Sequence, residues 1–246
     1  MKTAILIPAF NVRPWNEAFC ALFRAGCDEL CTRCGTEVVV VFVDDGSIAP
    51  GTQIEHHTAI FSSLGIDTIL TRHLVNRGQG SALQTALEIA KAPGVSADLF
   101  ITFDADGQHH PQDMVTLIHD LLDSEVNIVF GDRFSSPSFI SSGMPVARRL
   151  VLGVAKRVDL FLTGLALNDA HNGFRAFDRM TAEVLDLHCG RMAHATEIKS
   201  RVRQHKLKYS QAPVSITYTQ ETLAHGQSNL NSVNILRELL EGWLFA

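Results

Sequence analysis

The chain has 246 residues, 46% of them hydrophobic and 19% charged, which suits a globular protein of one large or two small α/β domains with a substantial core. Lys and Arg number 21 against 26 Asp and Glu, a formal charge of −5, and this argues against nucleic acid as a partner, since such proteins carry a basic excess. No uncharged apolar run reaches the ~18 residues of a membrane span, the nearest (150–167) being broken by Lys156, Arg157 and Asp159.

No secretory leader is visible ahead of the first apolar run, and a cytoplasmic protein is expected. Residues 3–7 read as a short buried strand stopped by Pro8, followed by the turn Pro8-Ala9-Phe10-Asn11. Pro14 suits the first turn of a helix that runs to Cys34. Along it Cys20, Cys27, Cys31 and Cys34 fall within about 60° of one another. They form one stripe of small apolar residues and cannot wrap a zinc ion from a single helix. The odd total of five cysteines fits a reducing compartment.

The β-branched run 37–43 has the pattern of a central parallel strand and ends in Asp44-Asp45-Gly46-Ser47. A helix over 51–63 and a strand over 66–71 come next. The loop Asn76-Arg77-Gly78-Gln79-Gly80-Ser81-Ala82 then opens a helix over 81–91. Its amino end offers N–H groups to a phosphate, or simply caps the helix. The strand 97–103 ends abruptly in Asp104-Ala105-Asp106-Gly107-Gln108. Carboxylates placed there face the crevice in which open α/β sheets bind ligands. Carboxylate and amide oxygens suit Mg2+ or Mn2+, ions that share their shell with substrate phosphates. The alternative is an acidic turn capping the helix over 111–123.

A strand over 126–131 runs into Gly131-Asp132-Arg133-Phe134. Strand and helix alternate throughout 1–134, which implies a Rossmann-like, mostly parallel sheet flanked by helices. Beyond it lie a Ser/Pro/Gly loop (135–143) long enough for a lid and an amphipathic helix (145–163) bearing Arg148, Arg149, Lys156 and Arg157. A loop leading into a strand (169–177), helices over 179–187 and 193–205, strands near 207–219 and a helix over 229–244 complete the chain. With no linker or repeat, 1–246 is expected to be a single domain.

Several of these stretches, in this order and spacing, resemble the inverting family 2 glycosyltransferases of GT-A fold. They are Pro8-Ala9-Phe10-Asn11, Asp44-Asp45-Gly46-Ser47, Asn76-Arg77-Gly78, Asp104-Ala105-Asp106-Gly107-Gln108, Gly131-Asp132-Arg133-Phe134, Asp169 with Gly173-Phe174-Arg175, and Gly226-Gln227-Ser228. The likeness is to the branch of dolichol- or polyprenyl-phosphate mannosyl- and glucosyltransferases, and it covers nearly the whole chain.

That resemblance implies a nucleotide-sugar half (1–134) and an acceptor half (135–246). It places Pro8, Phe10, Asn11, Asp44 and Asp45 around the base of a UDP- or GDP-sugar, with Asn76, Gly78 and Ala105 on the same ligand. Asp104 falls at ribose and metal, and Asp106 and Gln108 complete the shell of Mg2+ or Mn2+. Arg133, with Arg148 or Arg149, falls on an acceptor phosphate, and Asp169 and Arg175 line the sugar and diphosphate side. An anionic phosphate acceptor needs arginines and no base; a hydroxyl acceptor needs a base, for which Asp169 is the candidate. The implied setting is cell-envelope glycan synthesis, with peripheral contact at the inner face of the membrane through helix 145–163 and the aromatic tail.

Two departures stand out. Leu223 and Asn229 replace an arginine and a lysine that flank the glycine in that branch, leaving His225 as a stand-in donor. Asp132 occupies a position that is more often small and polar, where it pairs with Arg133 or faces solvent. Other readings are a catalytically silent nucleotide-sugar-binding subunit, and an aspartyl-nucleophile phosphatase built on Asp104.

Overall fold

The apolar runs become a seven-stranded sheet in the order β3-β2-β1-β4-β6-β5-β7. The strands are β1 (Lys2–Ala9), β2 (Glu37–Asp44), β3 (Asp67–Arg72), β4 (Leu99–Thr102), β5 (Ile128–Asp132), β6 (Arg175–Asp178) and β7 (Tyr209–Pro213). The computed structural model describes residues 1–135, 156–157, 159–161, 163–170, 172–188 and 193–217. The helices are α1 (Glu17–Cys34), α2 (Ile54–Leu64), α3 (Gln79–Lys91), α4 (Asp113–Asp123), α5 (Arg179–Val184) and α6 (Ala193–Gln204).

Period-two alternation divides the core between the two faces of the sheet. Ile5, Ile7, Val40, Phe42 and Ile101 pack with Phe23 and Leu30 of α1, Phe61 of α2 and Leu117 of α4. Ala4, Leu6, Val41 and Phe100 pack on the other side with Leu83 and Leu87 of α3 and Ile198 of α6. Burial on both faces is why β1 and β2 read as unbroken apolar runs.

β1 pairs in parallel with β2 and β4, β2 with β3, and β5 with β7. β6 alone is reversed, antiparallel to both β4 and β5. The reversal brings Arg175, at the start of β6, opposite Thr102 and Phe130, near the carboxyl ends of their strands. Asp44, Asp104, Arg133 and Arg175 therefore all fall at one edge of the sheet.

Pro8 does not stop β1, which continues to Ala9 opposite Asp44. The carbonyl of Leu6 accepts from the Phe103 N–H at 3.0 Å, and alternation turns the Pro8 nitrogen to that same side. The last β4 partner there is Thr102, opposite Leu6, so the proline falls just past the end of the β1–β4 ladder. The first helix begins at Glu17 and not at Pro14, because Asn16 is its cap and accepts from the Phe19 N–H at 2.9 Å. The cysteine stripe is only partly buried: Cys27 is inside, Cys20 and Cys34 pack against the core, and Cys31 is exposed. The loop 136–143, most of helix 145–163 with Arg148 and Arg149, and the tail from 218, with Leu223, His225, Gly226 and Asn229, lie outside the described residues. No helix among the described residues is long and apolar enough to cross a membrane.

Candidate functional site

At the end of β2, Asp44 and Asp45 are both about 1% exposed. Asp44 accepts from the Ser47 N–H at 2.9 Å and stands 3.4 Å from Arg72 Nε. Asp45 is enclosed by four donors: His73 Nδ1 (2.7 Å), Asn76 Nδ2 (3.0 Å) and the N–H groups of Arg77 (2.9 Å) and Gly78 (2.7 Å). Through these contacts Asp45 anchors the loop that leads into α3. Gly46 lets that loop close in, since it has φ +74° and a Cβ there would meet the Val75 carbonyl carbon at 2.6 Å. Asn11 is likewise engaged, its Oδ1 accepting from the N–H groups of Ile48 and Ala49 at 2.9 and 3.0 Å. Pro8 is buried in β1, whereas Phe10 is exposed.

The same loop reaches the second acidic stretch, where Gln79 Nε2 donates to Asp104 Oδ1 at 3.0 Å. Asp104 is partly exposed and Asp106 exposed. Burial of the surroundings pushes the Asp104 carboxyl upward, against the opposing influence of Arg175, His194 and Arg133. Asp106 is raised by burial and then by the charge of Asp104. Both carboxyls are thus harder to ionise than in water, and Asp106 is made more so by the charge of Asp104 beside it. The intervening turn is held by the Gln108 N–H on Asp106 Oδ1 (3.0 Å), by Trp15 Nε1 on the Ala105 carbonyl (2.8 Å) and by the Thr217 N–H on the Gln108 carbonyl (2.9 Å).

Gly173 completes the seat of Asp104, because a Cβ at that position would overlap the Asp104 carboxylate. Its φ lies outside the left-handed region, so the backbone itself tolerates alanine. Gly173→Ala is expected to displace Asp104, lower kcat/KM roughly 100-fold and destabilise the fold by about 1–3 kcal/mol. Steady-state kinetics together with urea unfolding measure both.

Past β5, Arg133 and Asp169 hold each other. Arg133 Nε lies 2.5 Å from Asp169 Oδ2 and its Nη2 3.2 Å from Oδ1, while the Arg133 N–H also donates to Oδ2 at 3.2 Å. Asn172 Nδ2 adds a contact at 3.3 Å. An Asp169 engaged on both oxygens is poorly placed to serve as a base, contrary to that expectation. Arg175 is 2% exposed, with its Nε unpartnered, and burial pulls its pKa down to about 10 against the pull of Asp104 and Asp169. Its charge acts on Asp104 and Asp169 from beneath the sheet edge. Asp132 neither pairs with Arg133 nor faces solvent: it is buried, accepts from the N–H groups of Phe134 and Ser135, and takes Asn168 Nδ2 at 2.9 Å. Lys199 of α6 forms a buried ion pair with Asp159 and donates to the Ala170 carbonyl at 3.1 Å, seating the loop that carries Asp169.

Sequence reasoning missed His109, Gln79, His73 and Lys199. Gln79 lies inside a loop that was singled out, so its signal was present. The other three become visible only when distant segments meet, as where His109 stacks on Phe174 with centroids 4.6 Å apart.

A mostly parallel, helix-flanked sheet with an Asp-x-Asp pair at its carboxyl edge defines the protein as a GT-A glycosyltransferase. More particularly, the chain belongs to glycosyl transferase family 2, whose family model matches residues 4–185. It is 29% identical over 174 residues, 70% of this chain and 68% of the relative, to the UDP-N-acetylglucosamine–dolichyl-phosphate N-acetylglucosaminyltransferase of Methanococcus voltae. It is 25% identical over 236 residues, 95% of this chain and 83% of the relative, to the polyprenol monophosphomannose synthase of Mycolicibacterium smegmatis. Residues 1–349 of TarS from S. aureus share the fold with a TM-score of 0.51 and 12% identity, over 98% of this chain and 71% of that one. Membership in this family sets aside the phosphatase reading.

Proposed function

We propose that this glycosyltransferase moves a sugar from a UDP- or GDP-sugar to a polyprenyl-type lipid phosphate, with inversion at the anomeric carbon. The observation that carries the reading is the Asp104–Asp106 pair of carboxylates following β4 at the sheet edge, with the Arg133 guanidinium fixed by Asp169 beyond the end of β5, across β6 on the same edge. The relatives named for dolichyl-phosphate and polyprenol-phosphate products support the same acceptor class.

The donor set suits a hard divalent ion. Among the described residues no three metal-ligating side chains gather, so Mg2+ or Mn2+ held by Asp104 and Asp106, with Gln108 beside them, would draw its other ligands from diphosphate and water. Bound there, such an ion neutralises the charge that develops on the leaving diphosphate. Asp45 acts indirectly, by presenting Gly78 and the amino end of α3 to the donor phosphates. Pro8, Phe10 and Asn11, with Asp44 behind them, form the base side.

Arg133 grips the acceptor phosphate, and Asp169 orients its fork. Arg148 and Arg149 add positive charge to the same acceptor. A phosphate oxygen is already a nucleophile, so the reaction needs alignment and no general base, and the engagement of Asp169 favours this acceptor over a hydroxyl. The lipid acceptor brings the protein to a membrane surface as a peripheral visitor.

The test pairs a thermal-shift panel of UDP- and GDP-sugars, with Mn2+ or chelator, with transfer assays on a polyprenyl phosphate and on glycan hydroxyls. One nucleotide class should raise Tm by several degrees only with Mn2+, and only the lipid phosphate should be glycosylated. Chelator-insensitive binding would overturn the metal role, and transfer to hydroxyls alone would overturn the acceptor.

A further inference from the structure

The Asp104 carboxylate is held on one oxygen by Gln79, while its other oxygen, Oδ2, faces His109. His109 is 4% exposed. Its ring stacks on Phe174 at 9° from parallel and meets Phe103 edge-on, with centroids 5.4 Å apart and 85° between the planes. Its backbone is fixed as well, in an antiparallel bridge with Ile216. These contacts hold the plane of the ring and its place beside Asp104.

The Asp104 N–H donates to His109 Nδ1 at 3.3 Å. That nitrogen is therefore the acceptor, and the ring proton sits on Nε2. Nε2 stands 3.5 Å from Asp104 Oδ2. One imidazole thus addresses both the main chain and the carboxylate of the same residue.

We propose that His109 is a positioning residue for the donor–metal side: a neutral imidazole whose Nε2–H sets the orientation of the Asp104 carboxylate. The proposal rests on the reading of Asp104 as a ligand of a divalent ion. A carboxylate oriented in advance gives up less freedom when an ion arrives, and residues that orient a metal ligand from outside its shell are worth roughly 10–100-fold in metal affinity.

Two near-isosteres separate the two contacts. In His109→Gln the side-chain amide nitrogen reaches the Nε2 position and donates to Oδ2; in His109→Asn the amide reaches only the Nδ1 position. His109→Phe keeps the stack and removes both contacts. Mn2+ binding is measured by electron paramagnetic resonance of the free ion, in the presence of whichever of UDP or GDP the parent binds, with Tm recorded alongside.

The expected result is Mn2+ affinity near that of the parent for Gln, and on the order of tenfold weaker for Asn and Phe. Asn and Gln binding Mn2+ equally, whether tightly or weakly, would overturn the proposal even if the Phe variant failed to fold. A parent that binds no Mn2+ would overturn the metal reading and this role together. Normal Mn2+ binding by the parent and by every variant would overturn this role alone.

Discussion

Asp106→Ala will abolish metal-dependent turnover and leave the fold intact. The side chain is exposed, and its carboxylate accepts from backbone N–H groups of its own turn, that of Gln108 at 3.0 Å. Its charge also opposes that of Asp104, so removing it relieves a repulsion and stability should change by less than about 0.5 kcal/mol. Catalysis has no such cushion. Neutralising a departing diphosphate is worth several kcal/mol, and about 4 kcal/mol corresponds to roughly a 1000-fold fall in kcat/KM. The Mn2+-dependent rise in Tm on adding nucleotide should vanish in the variant. Unchanged turnover would refute the proposed site.

Arg133→Ala should strike the acceptor side and the fold together. It leaves Asp169, whose side chain is 3% exposed, as a buried anion without its bidentate partner, a change that costs about 3–5 kcal/mol. The acceptor KM should rise about 100-fold while the donor KM stays near its parent value, a loss of about 2.7 kcal/mol in acceptor binding. Arg133→Lys should recover little, because one ammonium cannot match both carboxylate oxygens and a phosphate with the planar fork of arginine. Denaturant unfolding and kinetics with each substrate varied in turn separate the two effects. An equal loss of donor affinity would show that Arg133 does not discriminate between the substrates.

Much of this architecture could be read along the chain, because the decisive signals are local. The runs 3–7 and 37–43 announce strands buried on both faces, and the acidic residues that end the runs 37–43 and 97–103 mark one edge of the sheet. What could not be read are the meetings of remote segments. β6 is only four residues long and begins with a charged arginine, so nothing local tells that it inserts in reverse between β4 and β5. Asp169 and Arg133 are 36 residues apart, and each alone looked like a group free to act on substrate. Asp45 looked like a ligand contact for the same reason, since its four donors come from beyond β3. Residue type and spacing marked the sheet edge, and burial with pairing shows how the residues gathered there are held.

The reversed strand also bears on how such enzymes diversify. Because β6 runs against β5, the chain between Arg133 and Phe174 departs from one rim of the sheet and rejoins it there. Its base is tied by the Gly131 N–H on the Phe174 carbonyl at 2.9 Å and by the Arg133–Asp169 pair. The segment is tied at its neck, while Leu165 and Leu167 anchor its later part in the core and Asp159 pairs with Lys199 of α6, so only changes that spare these residues leave the strand ladder undisturbed. If this stretch carries the proposed acceptor side, a graft between relatives that keeps Asp159, Leu165, Leu167 and Gly173 should transplant the choice of acceptor.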